Sequence, residues 1–342
     1  NGAHGLPLFG CGDWNDGMNR VGEHGRGESV WMGFFLCAVI ADFAPLCARR
    51  GDADRLARYA AHREKLVAAL EDAGWDGAWY RRGYYDDGTP LGSKTSDECR
   101  IDALAQSWAV IAGVAPPARA RQALGAVERQ LVSPEAGLVR LLAPPFVDSA
   151  HDPGYIRGYV AGVRENGGQY THAALWYVRA LAEGGRRDRA ASVLEMLSPI
   201  SHTQSAGQVA TYQVEPYVIA ADVYGVEPHI GRGGWTWYTG SAGWMIRVTL
   251  ESVLGLREEG GRAYVVQPRI PDDWPGYRAR LRRPDGTSYA FAISNPEASA
   301  EVVVSAMLDG APLAIEHGAA RVPIAHDGRA HEVVVTLGPG GA

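Results

Sequence analysis

The chain has 342 residues, 46% hydrophobic and 21% charged, with a formal net charge of −6. This is long enough for a full core and two domains, and the negative balance without any basic run argues against a nucleic-acid surface. The four cysteines (Cys11, Cys37, Cys47, Cys99) have neither metal-ligand spacing nor the density of a secreted scaffold, so a reducing cytosol is the expected compartment.

In chain order, the first notable stretch is residues 10–33, which place two aspartates, two glutamates, two arginines, a histidine and two tryptophans among seven glycines. It is too polar for a core strand and too rich in glycine for a helix, so it reads as a long loop ending at a helix start near Ser29. Carboxylates beside indoles suit sugar recognition, because indole faces stack on pyranose C–H surfaces while acids bond hydroxyls. An ordinary surface loop with an Asx turn at Asp13–Asp16 is the plain alternative. Residues 29–49 then predict a helix apolar nearly all round, and residues 53–73 an amphipathic one with Leu56, Tyr59, Ala60, Leu66, Val67 and Leu70 inward. The apolar run is shorter than a membrane span, being interrupted by Asp42 and Pro45.

An apolar helix followed by an amphipathic one suggests a helical hairpin in a two-layer ring. An aromatic hairpin is expected over 74–92. The helical pairing repeats over 98–113 and 117–131, the second helix opened by Pro116-Pro117. A long loop over 133–170 follows, then helices near 171–184, 187–198, 215–224 and 241–255. From residue 256 the pattern changes to short β-type runs at 264–266, 277–281, 288–293, 301–305 and 332–337, separated by turns such as Pro284-Asp285-Gly286. The expected organisation is therefore a helical domain over 1–255 and a small antiparallel β-sheet domain over 256–342. Ten tryptophans and 15 tyrosines against six phenylalanines favour a surface that is both apolar and hydrogen-bonding, as a sugar cleft is.

Four blocks in order carry a resemblance: Asp13-Trp14-Asn15-Asp16-Gly17-Met18, Arg164 through His172 (RENGGQYTH), Glu215-Pro216-Tyr217, and Gly234 through Met245 (GWTWYTGSAGWM). Together they resemble glycoside hydrolase family 94, the inverting disaccharide and oligosaccharide phosphorylases, and within it the branch handling β-1,2-glucan. The likeness runs from the first residue to about 295. It implies an (α/α)6 toroid followed by a β-sheet domain, acting either as a phosphorylase or as one domain of a cyclic β-1,2-glucan synthase. About eight helices are found where that toroid needs twelve. With Asn1 at the start, the chain is therefore expected to be an excised piece that partners the upstream part of its own full-length chain and is inactive alone.

The resemblance implies Asp16 as the general acid, protonated at rest through desolvation and neighbouring charge. It places Trp14, Glu165 and Arg164 at the sugar, and His172, Thr239 and Gly240 at the phosphate. A protonated imidazole, a hydroxyl and a free amide at a helix start are a chemically sensible anion seat. Glu215 is expected to support the site indirectly. Inorganic phosphate is the co-substrate, with no cofactor and no metal, and the expected partner is a β-glucan oligosaccharide or polysaccharide. A homodimer and attachment to an inner-membrane synthase from the cytosolic side are compatible with it. Two departures stand out. The segment after Glu-Pro-Tyr reads Val218 to Asp222 where relatives carry a phosphate-binding glutamine, and the family's phosphate arginine lies upstream of the acid loop. The competing readings are an inverting hydrolase with Glu165 or Glu215 as base, and a non-catalytic glycan-binding module.

Overall fold

A computed structural model describes residues 1–340. The chain divides into two compact units, residues 1–184 with 195–245, and residues 185–194 with those from 246 onward; the sequence had suggested a division at 255.

The first unit is built on helical hairpins. Helix α1 (Val30–Arg49) starts where the Ser29 hydroxyl accepts the Met32 amide, and α2 (Ala53–Asp72) where Asp52 accepts the Arg55 amide. Their close approach needs Gly33: a Cβ there would lie 3.0 Å from Leu70 Cδ2. Helix α3 (Ala103–Ile111) begins five residues later than its periodicity suggests, because the Asp102 carboxylate caps the Leu104 amide at 2.7 Å. Helix α4 (Pro117–Gln130) has proline in its first turn, where a missing N–H costs nothing. Helix α5 (Thr171–Glu183) is buried over most of its length. The apolar helices line up, with α3 packing against α1 on one side and α5 on the other. Their core joins Val30, Phe34, Leu66, Leu70, Leu104, Trp108 and Trp176.

Two expectations are corrected here, and a third is borne out and extended. Asp42 and Pro45 do not interrupt α1: Pro45 sits in the last turns, where only one backbone bond is lost. The result is a continuous 20-residue helix long and apolar enough to cross a membrane by length and composition. Much of one face of it is core, while Phe35, Val39, Phe43 and Leu46 are exposed on another. No helix forms over 215–224; instead Asp222–Val223 pairs antiparallel with Gln169–Tyr170, and a helix α7 (Ala206–Tyr212) lies upstream. Its start was signalled by Ser205 and Gln208, since the Ser205 hydroxyl accepts the Gln208 amide. The aromatic hairpin, finally, is a three-stranded patch in which Gly83–Tyr84 pairs with both Glu28–Ser29 and Pro90–Leu91.

Helix α6 (Arg187–Met196) belongs mostly to the second unit, where the Arg187 guanidinium meets Asp272 at 2.8 Å. Helix α8 (Thr239–Arg247) runs into one π-helical turn, Val248–Val253. That brings the α-helices to eight among the described residues.

Beyond residue 255 lie two sheets. One has four antiparallel strands in the order 256–259, 263–266, 319–323, 315–316. The other has five in the order 276–282, 288–294, 330–338, 302–308, 311–312. The second sheet is mixed rather than antiparallel, since Ser288–Ser294 runs parallel to the last strand. Alternation buries Tyr289, Phe291 and Ile293 on one face, against Tyr264, Val266, Val322, Val333 and Val335.

Candidate active site

The acid loop is held by a buried ion cluster. Asp13 is gripped at both oxygens by the Arg82 guanidinium, each bond 2.6 Å, and its Oδ2 also accepts the Ser29 hydroxyl at 2.7 Å. Arg82 Nε lies 3.3 Å from Asp102 Oδ2, and all three charged side chains are fully enclosed. Two carboxylates thus share one guanidinium. Burial pushes the Asp102 carboxyl up to about 6 against the pull of Arg82 and the Leu104 amide. Removing one partner from such a cluster strands a buried charge, at a cost on the order of 3–5 kcal/mol.

From this anchor the chain makes one turn of 3₁₀ helix, Asp16–Met18, with Asn15 Oδ1 accepting the Gly17 amide at 3.2 Å. Gly17 lets the turn press on Ile156, where a Cβ would lie 3.1 Å from the isoleucine Cβ. Asn19 accepts the Tyr155 amide at 3.0 Å. These contacts put the Tyr155 hydroxyl within hydrogen-bonding reach of Asp16; burial and then that carboxylate push the phenol up to about 12. Asp16 itself is exposed. The desolvation expected for it is therefore not supplied by the residues of this chain, whereas Asp13, three positions earlier, is the enclosed one.

Beside Asp16 stands a second charged pair. Arg164 Nε approaches Glu165 Oε2 at 3.3 Å, and its guanidinium lies over the rings of Trp235 (4.6 Å) and Tyr159 (5.1 Å). Glu165 is 7% exposed. Burial raises its pKa, its own amide and Arg164 pull it back, and Asp16 adds to the rise. Arg164 adopts a left-handed backbone with φ 51, a conformation costing about 1 kcal/mol or more for a residue with a Cβ.

On the anion side, His172 is boxed by indoles: Trp176 at 4.3 Å, Trp14 at 5.5 Å edge-on, and Trp244 stacked at 5.6 Å. Its Nε2 is buried without a partner, and a Cβ on Gly240 would lie 3.8 Å from its Nδ1. Burial pushes the imidazole down to about 4. The expected protonated imidazole is thus corrected: burial is the cause of the shift, and without a bound anion the ring is neutral at neutral pH. Thr239 and Gly240 are exposed at the start of α8, where free amides favour an anion.

The low value for His172 has a measurable consequence. Unfolded histidine binds a proton near pH 6.5 while the folded ring resists it to about 4, so stability is full above pH 6.5 and falls as pH drops toward 4. Urea unfolding across that window should show a loss on the order of 2 kcal/mol, smaller in His172→Gln. An equal slope in the two proteins would remove His172 as its source.

The structure therefore brings Asp16, Glu165 and Arg164 together, and His172 together with Gly240 and Trp14. Trp14 is packed edge-on to Tyr170 at 5.2 Å. Glu215 lies apart, accepting the Trp237 indole N–H at 3.3 Å. Sequence reasoning missed Arg82, Asp102, Tyr155, Tyr159 and Asp222. Only Asp102 carried a local signal, as an acidic cap before an apolar run. Among the described residues no group of His, Cys, Asp and Glu is arranged to hold a metal ion.

The chain is 52% identical over 304 residues to cyclic beta-(1,2)-glucan synthase NdvB of Rhizobium meliloti, covering 89% of the chain but 11% of that protein. It is 34% identical to 3-O-beta-D-glucopyranosyl-beta-D-glucuronide phosphorylase of Paenibacillus borealis, over 90% of the chain and 39% of the relative. A 1,2-beta-oligoglucan phosphorylase of Listeria innocua matches 56% of the chain and 19% of its own length at 25% identity. Among solved structures, a sialidase chain shares the fold over 80% of this chain and 24% of its own, with TM-score 0.57 and 13% identity. The model of the glycosyl hydrolase 94 superfamily catalytic domain matches residues 1–255, and the chain belongs to that family.

Proposed function

We propose that the chain carries the acid and phosphate parts of an inverting phosphorylase site for β-glucan, β-1,2-linked, with glucose 1-phosphate as product. The observation that carries this reading is the unequal fate of the two loop aspartates. Asp13 is saturated by Arg82 and Ser29, and Asp16 is left exposed beside Tyr155, Glu165 and Arg164. Asp16 donates its proton to the glycosidic oxygen as the C–O bond breaks. A phosphate oxygen forms the new bond to the anomeric carbon from the opposite face. Phosphate sits among His172, Thr239 and Gly240, and Trp14, Glu165 and Arg164 hold the sugar. The step balances with phosphate alone and needs no cofactor.

A hydrolase on the same scaffold needs a carboxylate free to activate water. Glu165 is enclosed and ion-paired, and Glu215 is engaged with an indole, which favours phosphate as the nucleophile. The helical hairpins fit part of an (α/α)6 toroid, and the relationship to a glucan synthase fits a cytosolic domain of a longer protein. The test is cleavage of linear β-1,2-glucan, with and without inorganic phosphate, by a protein extended upstream by further helical hairpins. Glucose 1-phosphate should form only with phosphate, in the inverted configuration; glucose released at the same rate without it would overturn the reading.

A further inference from the structure

Asp222 has no role in the site as assigned above, yet its side chain bonds the backbone of Arg164 and that of Trp235, which leads into Thr239–Gly240. It lies in the short strand paired with Gln169–Tyr170 and is 1% exposed. One carboxylate oxygen, Oδ2, accepts the Arg164 amide at 3.0 Å; the other, Oδ1, accepts the Trp235 amide at 3.2 Å. Its backbone carbonyl accepts the Gly234 amide at 2.8 Å. Position 234 must be glycine for this approach, since a Cβ there would lie 2.3 Å from Asp222 Oδ1.

We propose that Asp222 is a positioning residue that holds the sugar-facing Arg164–Glu165 pair and the phosphate-facing Thr239–Gly240 turn in one register. The inference rests on the phosphorylase reading for what the two loops bind, though not for the staple itself. Arg164 is in the left-handed region, φ 51, which a residue with a Cβ leaves unless its amide is held. The Asp222 carboxylate holds it. With that amide released, the guanidinium would leave its place over Tyr159 and Trp235, and Glu165 would lose its partner. The second bond fixes Trp235, four residues before Thr239, so one carboxylate sets the spacing of both loops. Burial raises the Asp222 pKa, and the two amides and the Arg164 charge oppose that rise.

The test uses two variants, each made in a protein extended upstream by further helical hairpins. Asp222→Ala removes both acceptor oxygens at once. Gly234→Ala keeps the carboxylate and displaces it from Trp235 by steric contact. Amide hydrogen exchange should show Arg164 and Trp235 losing protection together in both variants, with α1 unchanged. In phosphorolysis, KM for phosphate and for glucan should rise together and kcat should fall, about 10²-fold in kcat/KM for a misplacement near 1 Å. Retained protection, loss at one amide alone, or a rise in only one KM overturns the proposal. Loss of protection throughout the unit, α1 included, also overturns it, because Asp222 would then be a general support. If the unsubstituted protein shows no phosphate-dependent cleavage, the phosphorylase reading fails, and the exchange measurement still decides whether Asp222 staples the loops.

Discussion

Replacing Asp16 with Asn, in a protein extended upstream by further helical hairpins, is expected to reduce phosphorolysis of unactivated β-glucan on the order of 10²–10⁴-fold, the usual worth of a positioned general acid, while sugar binding survives. The substitution leaves the 3₁₀ turn intact: the Gly17 amide is capped by Asn15, and Asp16 is exposed and contributes its carboxylate only to the site. What is lost is the transferable proton. A glycoside whose leaving group departs as a stable anion should therefore be spared, because it needs no proton. The companion variant Asp13→Asn should behave differently. It removes a buried charge from Arg82, leaving Asp102 as the one remaining carboxylate of the cluster, so its main effect should be on folding stability, measured by urea unfolding. Near-normal turnover in Asp16→Asn would sink the assignment. The same loss with activated and unactivated substrates would show that Asp16 does something other than donate a proton.

How far the sequence reached depended on the range of the interaction in question. The acid loop was legible because Asn15 and Gly17 act within four residues, and α1 and α2 were legible because periodicity and the Ser29 and Asp52 caps are local. The apolar run Val218–Ala221 misled. Pro216 sits in a turn, and Asp222 opens a two-residue strand whose pairing partner, Gln169–Tyr170, lies some fifty residues away. The same limit hid Arg82, which meets Asp13 across 69 positions and looks from its neighbours like one more surface arginine in an aromatic hairpin. It also hid the parallel pairing of Ser288–Ser294 with the last strand, since the alternation of each strand shows which face is buried and not which strand lies beside it. For His172 the motif located the residue, whereas its charge was set by Trp14, Trp176 and Trp244, which come from three different segments.

These 342 residues alone are expected to show no phosphorolysis, whereas a protein extended upstream by further helical hairpins should be active. The reason is the free flank of α1. The apolar helices pack in a row, α1 on α3 and α3 on α5, and α1 ends that row with Phe35, Val39, Phe43 and Leu46 exposed at helical spacing. Covering those side chains is worth roughly 1–2 kcal/mol apiece at ~25 cal/mol per Å², so left open they favour association between copies. The buried indole N–H groups of Trp31, Trp108 and Trp176 lack acceptors as well, and each carries a penalty of about 1–3 kcal/mol that a neighbouring polar group would relieve. Both features leave the row short of packing or hydrogen-bonding partners among the described residues. The chain spans 11% and 39% of the length of the two relatives cited first, and the family resemblance places the phosphate arginine upstream. Glucose 1-phosphate release from linear β-1,2-glucan, measured alongside light scattering for both proteins, distinguishes the outcomes. The shorter chain should associate and fail to turn over, and the longer one should be uniform in size and active. Comparable activity in the two would show that the exposed flank of α1 is an ordinary surface and that the site is complete as it stands.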